Sequence, residues 1–584
     1  MTSANSLFSA LVANPAVILT IGALLVALMP DSRSGLRRPL MLVFIAFSAA
    51  QLARLGLGEY GRLAIFGEAV TMLRLDPLSR LFAIVFHIAA ALNALYAWNE
   101  RDRGACFASL AYPAAALGGV LAGDVLTLFV WWEIAAATSV FLVWARGTRA
   151  TFIAGMRYLV VQVLSGVLLL AGAGMLWRET GSFAFGEIGL RDAGGAIRPA
   201  GLFLFLAFGV KAAFPLLHNW VQDAYPKATI SGTIVLSVFT TKLAVYALAR
   251  GFPGTPELVW IGVVMTFFPI FFALIENDLR KVLCYSINNQ VGFMVTGIGL
   301  GTAASINGAV GYAFSNIIFE SLLFMAVGAA MLRTGTSKAT ELGGLYRTMP
   351  LTMVMCVVGA LSISAFPGFA GFVTKGLILD GAASQDMFFV WLALLFASAG
   401  VLEHAGIKIP YFTFFAHDSG KRPAEAPWHM LAAMAISAFL SIAIGVYPAP
   451  LYALLPDQAQ IADYHPYSAY HIVEQAQLLL FAVLAFAALV LLRLYPAEVP
   501  STNLDTDWFW RTPGRAVLRW AAGVVSILWD HVWRLFIGRV DAFRARVYRV
   551  HGPEGRLARS WPIGSMALWT AIVLGLALFI AFFG

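Results

Sequence analysis

Apolar residues run through this chain in long stretches, each closed by a short polar or basic break. A helix crosses the hydrocarbon core of a bilayer with about 20 apolar residues. On that rule spans are expected near 7–29, 40–57, 78–98, 105–122, 124–144, 152–177, 201–221, 229–249, 257–275, 282–301, 304–332, 350–380, 387–416, 428–447, 471–494 and 562–583, sixteen in all. Two of them carry an internal proline, Pro215 in 201–221 and Pro367 in 350–380, and each also carries a lysine, Lys211 or Lys375. Proline-interrupted spans at matching places in two halves of a bundle are the sequence sign of inverted repeats built on broken helices. The expected fold is therefore all-α: a polytopic membrane helix bundle of about fourteen core helices with two inverted five-helix repeats, extended at its C-terminus.

The breaks give an orientation. Arg33, Arg37 and Arg38 follow the first span, Arg101 and Arg103 the third, Arg146 and Arg149 the fifth, and Arg280 and Lys281 the ninth. Arg333, Lys338 and Arg347 follow the eleventh, and Lys421 and Arg422 the thirteenth. Basic loops stay cytoplasmic, so both termini are expected outside, in the periplasm of a bacterial inner (plasma) membrane. The loop 448–470 has no Lys or Arg, as an outside loop should. Arg178, Arg191 and Arg198 break the pattern. The same breaks divide the chain into N-terminal helices (1–104), a first repeat (105–250), a second repeat (251–416), C-terminal helices (417–500), a surface segment (501–560) and a final span (561–584).

Composition agrees with a lipid solvent. The 584 residues are 60% hydrophobic and 12% charged, about half the charge of a soluble protein, and mean hydropathy is +0.80. Cys106, Cys284 and Cys356 each sit in an apolar run without a CxxC, so no metal or disulfide framework is implied. The first apolar stretch lacks a basic leader and reads as a membrane helix rather than a removed signal. The net charge of +8 is concentrated: ten Arg against Asp530, Asp541 and Glu554 between 511 and 559 give +7. Within that stretch, Arg515, Arg519, Asp530, Arg534 and Asp541 alternate at helical spacing with Leu518, Val525, Leu528, Val532, Leu535, Phe536 and Phe543. This pattern is an amphipathic helix, with Trp520, Trp529 and Trp533 suited to the membrane interface. It reads as a headgroup-level strip that anchors the last span, or as a brace reaching a neighbouring subunit.

Lysine usage is the most informative feature. The 39 basic residues are eight Lys and thirty-one Arg, and four of the eight, Lys211, Lys242, Lys375 and Lys408, lie inside apolar spans. A lysine at a membrane centre costs roughly 2.5–3.5 kcal/mol. Arginine stays charged in proteins, whereas a desolvated lysine can lose its proton, which is what a proton relay needs. Lys408, close to a span end and to Pro410, reads equally well as a lysine reaching for the headgroups. Glu133 in LFVWWEIAAATSVFLVW and Glu320 in NIIFESLLFM are carboxyls among apolar neighbours, and Glu403, His404 and His218 are further candidates. His218 and His87 read as readily as packing residues. No Walker A sequence, HExxH, dinucleotide fingerprint or thiolate set is present. No cofactor or metal is expected, and the driving energy must come from an ion gradient or a partner subunit.

KAAFPLLHNWVQDAYPKATISGTIVLSVFTTKLAVYALAR (211–250) resembles the central signature of the proton-conducting membrane transporter family, which includes Mrp-type cation/proton antiporter subunits and the antiporter-like subunits of respiratory complex I. WWEIAAATSVFLVW (131–144), ENDLRKVLCYSINNQVGF (276–293), ELGGLYRTMPLT (341–352) and FPGFAGFVTKG (366–376) extend the resemblance over about residues 70–450. GIKIPYFTFFAHDSG (406–420) and LDTDWFWR (504–511) look most like the D-type subunit of Mrp antiporters, and the C-terminal extension looks more like an end subunit of complex I. The resemblance places the family's key groups on Glu133, Lys211, Lys242 and Lys375. It also exposes a departure: where the family carries a pattern like HxxxHxxxK, this chain has Tyr312, Asn316 and Glu320.

The expected function is proton translocation within a multi-subunit, Mrp-like monovalent cation/proton antiporter, with other membrane subunits, the bilayer, protons and Na+ or K+ as partners and no nucleic acid. Glu133 and Lys211 would switch the first half, Lys242 would pass the proton inward, Lys375 would serve the second half, and Glu320 would stand between. Two other readings stay open: a pump arm of a complex I-like or hydrogenase redox complex without a redox centre of its own, and an ion-coupling subunit for uptake of another solute such as inorganic carbon.

Overall fold

The computed structural model describes residues 14–65, 67–492, 494, 503–555 and 562–583. The chain forms two compact units, Met1–Asn503 and Leu504–Gly584. Eleven described helices are long and apolar enough to cross a membrane, and three shorter apolar ones accompany them. The protein is an all-α polytopic membrane bundle.

The helices of the first unit are α1 (Pro15–Leu28), α2 (Arg37–Arg54), α3 (Pro77–Tyr96), α4 (Arg103–Val120), α5 (Val125–Trp144), α6 (Arg149–Thr180), α7 (Pro199–Lys211), α8 (Asn219–Ala224), α9 (Ile230–Gly251), α10 (Pro256–Ile275), α11 (Leu279–Leu300), α12 (Ala303–Thr334), α13 (Pro350–Ile363), α14 (Ala370–Ala383), α15 (Phe388–Val401), α16 (Trp428–Val446) and α17 (Ala469–Leu491). Short polar residues start them. Asp76, Asp102, Asp124, Thr148, Thr229, Asp278, Thr302 and Ser468 each accept a backbone N–H of the first turn, which satisfies donors that have no intrahelical partner. Gly181, Gly301 and Gly335 end α6, α11 and α12 in the left-handed conformation, where a side chain would be strained.

The core lies along α9, α11 and α12, which are buried over nearly their whole length. Their neighbours face outward with large apolar side chains such as Val160, Val167, Phe439 and Leu480, the surface a lipid solvent requires. Arg191 and Arg198, which depart from the basic-loop pattern, are paired with Glu257 and Glu179 at 2.7 and 2.9 Å.

The helix breaks expected at Pro215 and Pro367 are present, and two other local features differ from the expected spans. The spans 201–221 and 350–380 are not continuous: α7 stops at Lys211 and α8 starts at Asn219, while α13 stops at Ile363 and α14 starts at Ala370. Both breaks contain Ala-Phe-Pro, with Ala213 at φ 63° and Ala365 at φ 57°. Proline cannot supply the N–H that would continue the ladder, and an alanine held at positive φ costs on the order of 1–3 kcal/mol. In the first break the freed Val210 carbonyl is taken by Trp220 Nε1 at 3.0 Å.

The span 387–416 is also irregular. After α15 the chain runs through π-helical turns, Leu402–Ile407 and Tyr411–Phe415, on either side of Lys408–Pro410. Finally, an antiparallel hairpin, β1 (Gly58–Ile65) with β2 (Glu68–Leu75), sits between α2 and α3 where a helix-only reading places nothing. Its sequence sign is a stretch bounded by Gly58 and Gly67, both at positive φ, and too short to span.

The second unit holds α18 (Pro513–His551) and α19 (Ile563–Phe583). At 39 residues and 1.5 Å per residue, α18 is about 58 Å long. Trp529, Trp533 and Phe536 stack in series along it, with ring centroids 6.4 and 5.7 Å apart. The expected domain boundary at 500/501 and the basic residues Arg556 and Arg559 lie outside the described residues.

Candidate ion-translocation site

Two buried lysines stand next to the helix breaks, Lys211 at the end of α7 and Lys375 one turn into α14, and a third, Lys242, forms a buried ion pair with Glu320. Lys211 is the last residue of α7 and is wholly buried. Its ammonium donates to the Trp132 carbonyl at 2.8 Å and sits 4.2 Å from the centre of the Trp132 ring. That ring is fixed in turn, since Trp132 Nε1 donates to Ser165 Oγ at 3.0 Å, and Ser165 donates to the Ala207 carbonyl at 2.7 Å. Glu133, the next residue on α5, is within electrostatic reach of Lys211. The lysine is nevertheless bonded to the backbone of α5, and Glu133 Oε1 is buried with no hydrogen-bond partner among the described residues. The two charges are thus adjacent and unjoined, an arrangement a small side-chain rotation could close.

Gly166 on α6 makes room for this carboxylate: a Cβ there would collide with Glu133 Oε1. Gly166→Ala must therefore turn Glu133 away or push α6 from α5. The expected result is a folded protein with proton flux reduced by about tenfold or more, since misplacing a reacting group by ~1 Å can cost a hundredfold. Flux in reconstituted vesicles beside a melting curve would separate the two; wild-type flux would show that the Glu133 position is immaterial.

Lys242 on α9 meets Glu320 on α12. The Nζ–Oε2 separation is 3.4 Å, and the two side chains are only 1% and 2% exposed. Lys242 also donates to the Ser237 carbonyl at 3.0 Å, while Glu320 Oε1 has no hydrogen-bond partner among the described residues. The sequence places Glu320 between Lys242 and Lys375; the structure makes it the direct partner of Lys242. Tyr312, Asn316 and Glu320 follow one another at four-residue spacing on one face of α12, and the Tyr312 hydroxyl donates to Gln290 Oε1 of α11.

Lys375, one turn into α14, is 1% exposed. Its ammonium lies 4.0 Å from the centre of the Phe293 ring and 6.0 Å from that of Tyr312, and no hydrogen-bond partner among the described residues faces it. Ring faces attract a desolvated cation by about 2 kcal/mol or more, less than a carboxylate gives, so this lysine is held loosely. Lys375 also lines a cavity with Asp380, Tyr464, His471 and Glu474.

Lys408, His404, His218 and His87 have partners of their own, and His404 also lies within electrostatic reach of Lys375 and Lys408. Lys408 is buried, and its ammonium is spread over the carbonyls of Ala273, Leu274 and Glu276 at 3.2, 2.7 and 2.8 Å. It caps the C-terminal end of α10, where a positive charge is favoured. His404 Nδ1 bonds the Gly400 carbonyl at 2.6 Å on the π-helical turn, and Glu403 beside it is half-buried. His218 packs on Phe268, ring centroids 4.5 Å apart, at the start of α8. His87 bridges the Ala83 carbonyl and Ser48 Oγ at 2.7 and 2.8 Å. Pro215 and Pro367 both fall inside the helix breaks.

Residues 122–400, which hold Glu133, Lys211, Lys242, Glu320 and Lys375, match the family model described as NADH:quinone oxidoreductase/Mrp antiporter, transmembrane region. The D-type subunit of the Na+/H+ antiporter of Bacillus subtilis is 27% identical over 351 residues, covering 57% of this chain and 71% of that protein. Among solved structures, a chain of the Mrp complex from Dietzia sp. superposes with a TM-score of 0.68 at 22% identity, covering 80% of this chain and 99% of its own length. A chain of the membrane-bound sulfane sulfur reductase, an archaeal respiratory membrane complex, superposes at 0.69 with 23% identity, covering 97% and 99%.

Proposed function

Carrying a transmembrane domain of the NADH:quinone oxidoreductase/Mrp antiporter family across residues 122–400, the chain is, we propose, the proton-translocating subunit of a multi-subunit, Mrp-like monovalent cation/proton antiporter of a bacterial inner membrane. The observation that carries this reading is the burial of Lys211, the Lys242–Glu320 pair and Lys375 inside the helix bundle. Charges so placed are expensive in a membrane and mark ion paths.

Glu133 and Lys211 form the switch of the first half. While Glu133 turns toward Lys211, the ammonium is stabilised; when the carboxylate withdraws, desolvation favours release of the lysine proton. The proton passes to the Lys242–Glu320 pair, whose opening frees either group to accept or donate. Tyr312 and Gln290 bridge α12 and α11 beside Lys375, and Lys375 completes the second half. The two breaks give each half a place to shift without unwinding a whole helix, as in transporters built on broken helices. The basic loops put both termini outside, and α18 carries the apolar face of a membrane-surface helix or a brace to a neighbouring subunit.

One observation favours a second reading. The respiratory reductase chain covers 97% of this one against 80% for the Mrp chain, so the C-terminal extension has its counterpart in a redox assembly. The deciding experiment is proton flux in vesicles holding the copurified complex, under an imposed Na+ or K+ gradient and with no electron donor. Cation-driven flux is the expected result. An intact complex that moves protons only when given a donor would assign the chain to a redox-driven pump.

A further inference from the structure

Lys375 is buried and needs a way to water if it is to turn over. Beside α14 lies a cavity of about 30 Å³, lined by Lys375, Gly376, Asp380, Tyr464, His471 and Glu474. That is room for water, which needs roughly 10–15 Å³. Asp380 is five residues beyond Lys375 on the same helix, about 7.5 Å along its axis. Across the cavity His471, in the first turn of α17, places Nε2 3.3 Å from Asp380 Oδ1. These two side chains are 22% and 39% exposed, whereas Lys375 is 1% exposed. The cavity therefore leads from a buried ammonium to a surface-reaching acid and imidazole. Two polar atoms point to a proton-carrying occupant: Lys375 Nζ and His471 Nδ1 are both buried without a hydrogen-bond partner among the described residues.

We infer that this cavity is the port through which Lys375 exchanges protons with water, and that Asp380 and His471 are its shuttle. The inference rests on the proton-translocation reading. A proton leaves Lys375 Nζ for a cavity water, the water passes one to Asp380 or to His471, and the imidazole hands it to bulk water; the reverse sequence loads the lysine. Imidazole suits this task because its two nitrogens allow proton gain on one side and loss on the other. The titratable groups around His471 are Asp380 and Lys375 on α14, Tyr464 before α17, and Tyr470 and Glu474 on α17 itself. The π-helical turn bearing Glu403 and His404 also packs on α17. Tyr464 and Pro466 in the cavity wall belong to the loop 448–470, which the basic-loop pattern places on the outer side.

The test uses the assembled complex in proteoliposomes under a cation gradient. His471→Ala and Asp380→Asn are each expected to lower proton flux by about a hundredfold, the usual weight of a positioned proton carrier. Added imidazole should restore flux to His471→Ala and leave Asp380→Asn unchanged, a rescue that a purely structural histidine would not show. Wild-type flux in His471→Ala, or a loss that imidazole does not repair, overturns the port. If Lys211→Ala abolishes flux while His471→Ala retains it, the port fails and the proton-translocation reading stands. If the wild type shows no cation-driven flux, a second readout decides the port by itself. Leu379→Cys, which lines the cavity, should react with a water-soluble thiosulfonate from the side of the 448–468 loop, against the three buried native cysteines. A thiol that stays unmodified from both sides overturns the port.

Discussion

Glu320→Gln and Lys242→Met should each destabilise the protein by about 3–5 kcal/mol, and the double variant should recover most of that loss. The two side chains face one another at 3.4 Å with almost no exposure. A buried pair contributes little over an apolar replacement, because desolvating both charges offsets their attraction; removing one partner leaves the other charge uncompensated. Thermal unfolding of the purified protein in detergent reads the stability, with the cycle of two single variants and the double giving the coupling. Proton flux should behave differently. It should be lost in both singles and stay lost in the double, since a stable apolar or amide-filled core passes no proton. A double variant that is both stable and active would make the pair structural and send the route around it.

That pair also shows what could be read from the chain alone. The buried lysines were legible, because a charge inside an apolar run is visible without a fold, and so were the two helix breaks, because Pro215 and Pro367 disrupt the hydrogen-bond ladder wherever they sit. Glu320 was legible as a buried acid, but its partner was not. Lys242 and Glu320 are 78 residues apart, and only the packing of α9 on α12 brings them together. For the same reason the port was missed. Asp380 and His471 fall at span ends, where polar residues are ordinary, and belong to helices 91 residues apart in sequence (471 less 380). Lys408 looked like a relay candidate by the rule that found the others. Its three carbonyl partners come from the end of α10, and no periodicity in its own span points there. The hairpin β1–β2 escaped because a scan for spans of about 20 residues has no place for strands of eight.

The sharpest separation between charge and proton carriage is expected at Lys211. Lys211→Arg keeps a positive charge, yet it should abolish flux as fully as Lys211→Ala. Two features of the site lead there. The pocket is built for a compact ammonium: one hydrogen bond to the Trp132 carbonyl, the Trp132 ring at 4.2 Å, and a fixed wall made by Ser165 and the Ala207 carbonyl. A guanidinium brings five donors in a rigid plane, more than that pocket can accept, and would be drawn to the free Oε1 of Glu133. It would hold the switch closed. More fundamentally, arginine does not release its proton in a protein, so the site could bind charge without passing any on. If Lys211 acted only as a fixed positive field that orients Glu133, Lys211→Arg would retain much of the flux that Lys211→Ala loses. Flux through both variants in the same vesicle preparation, with assembly verified for each, decides between a lysine that carries the proton and a lysine that merely attracts the carboxylate.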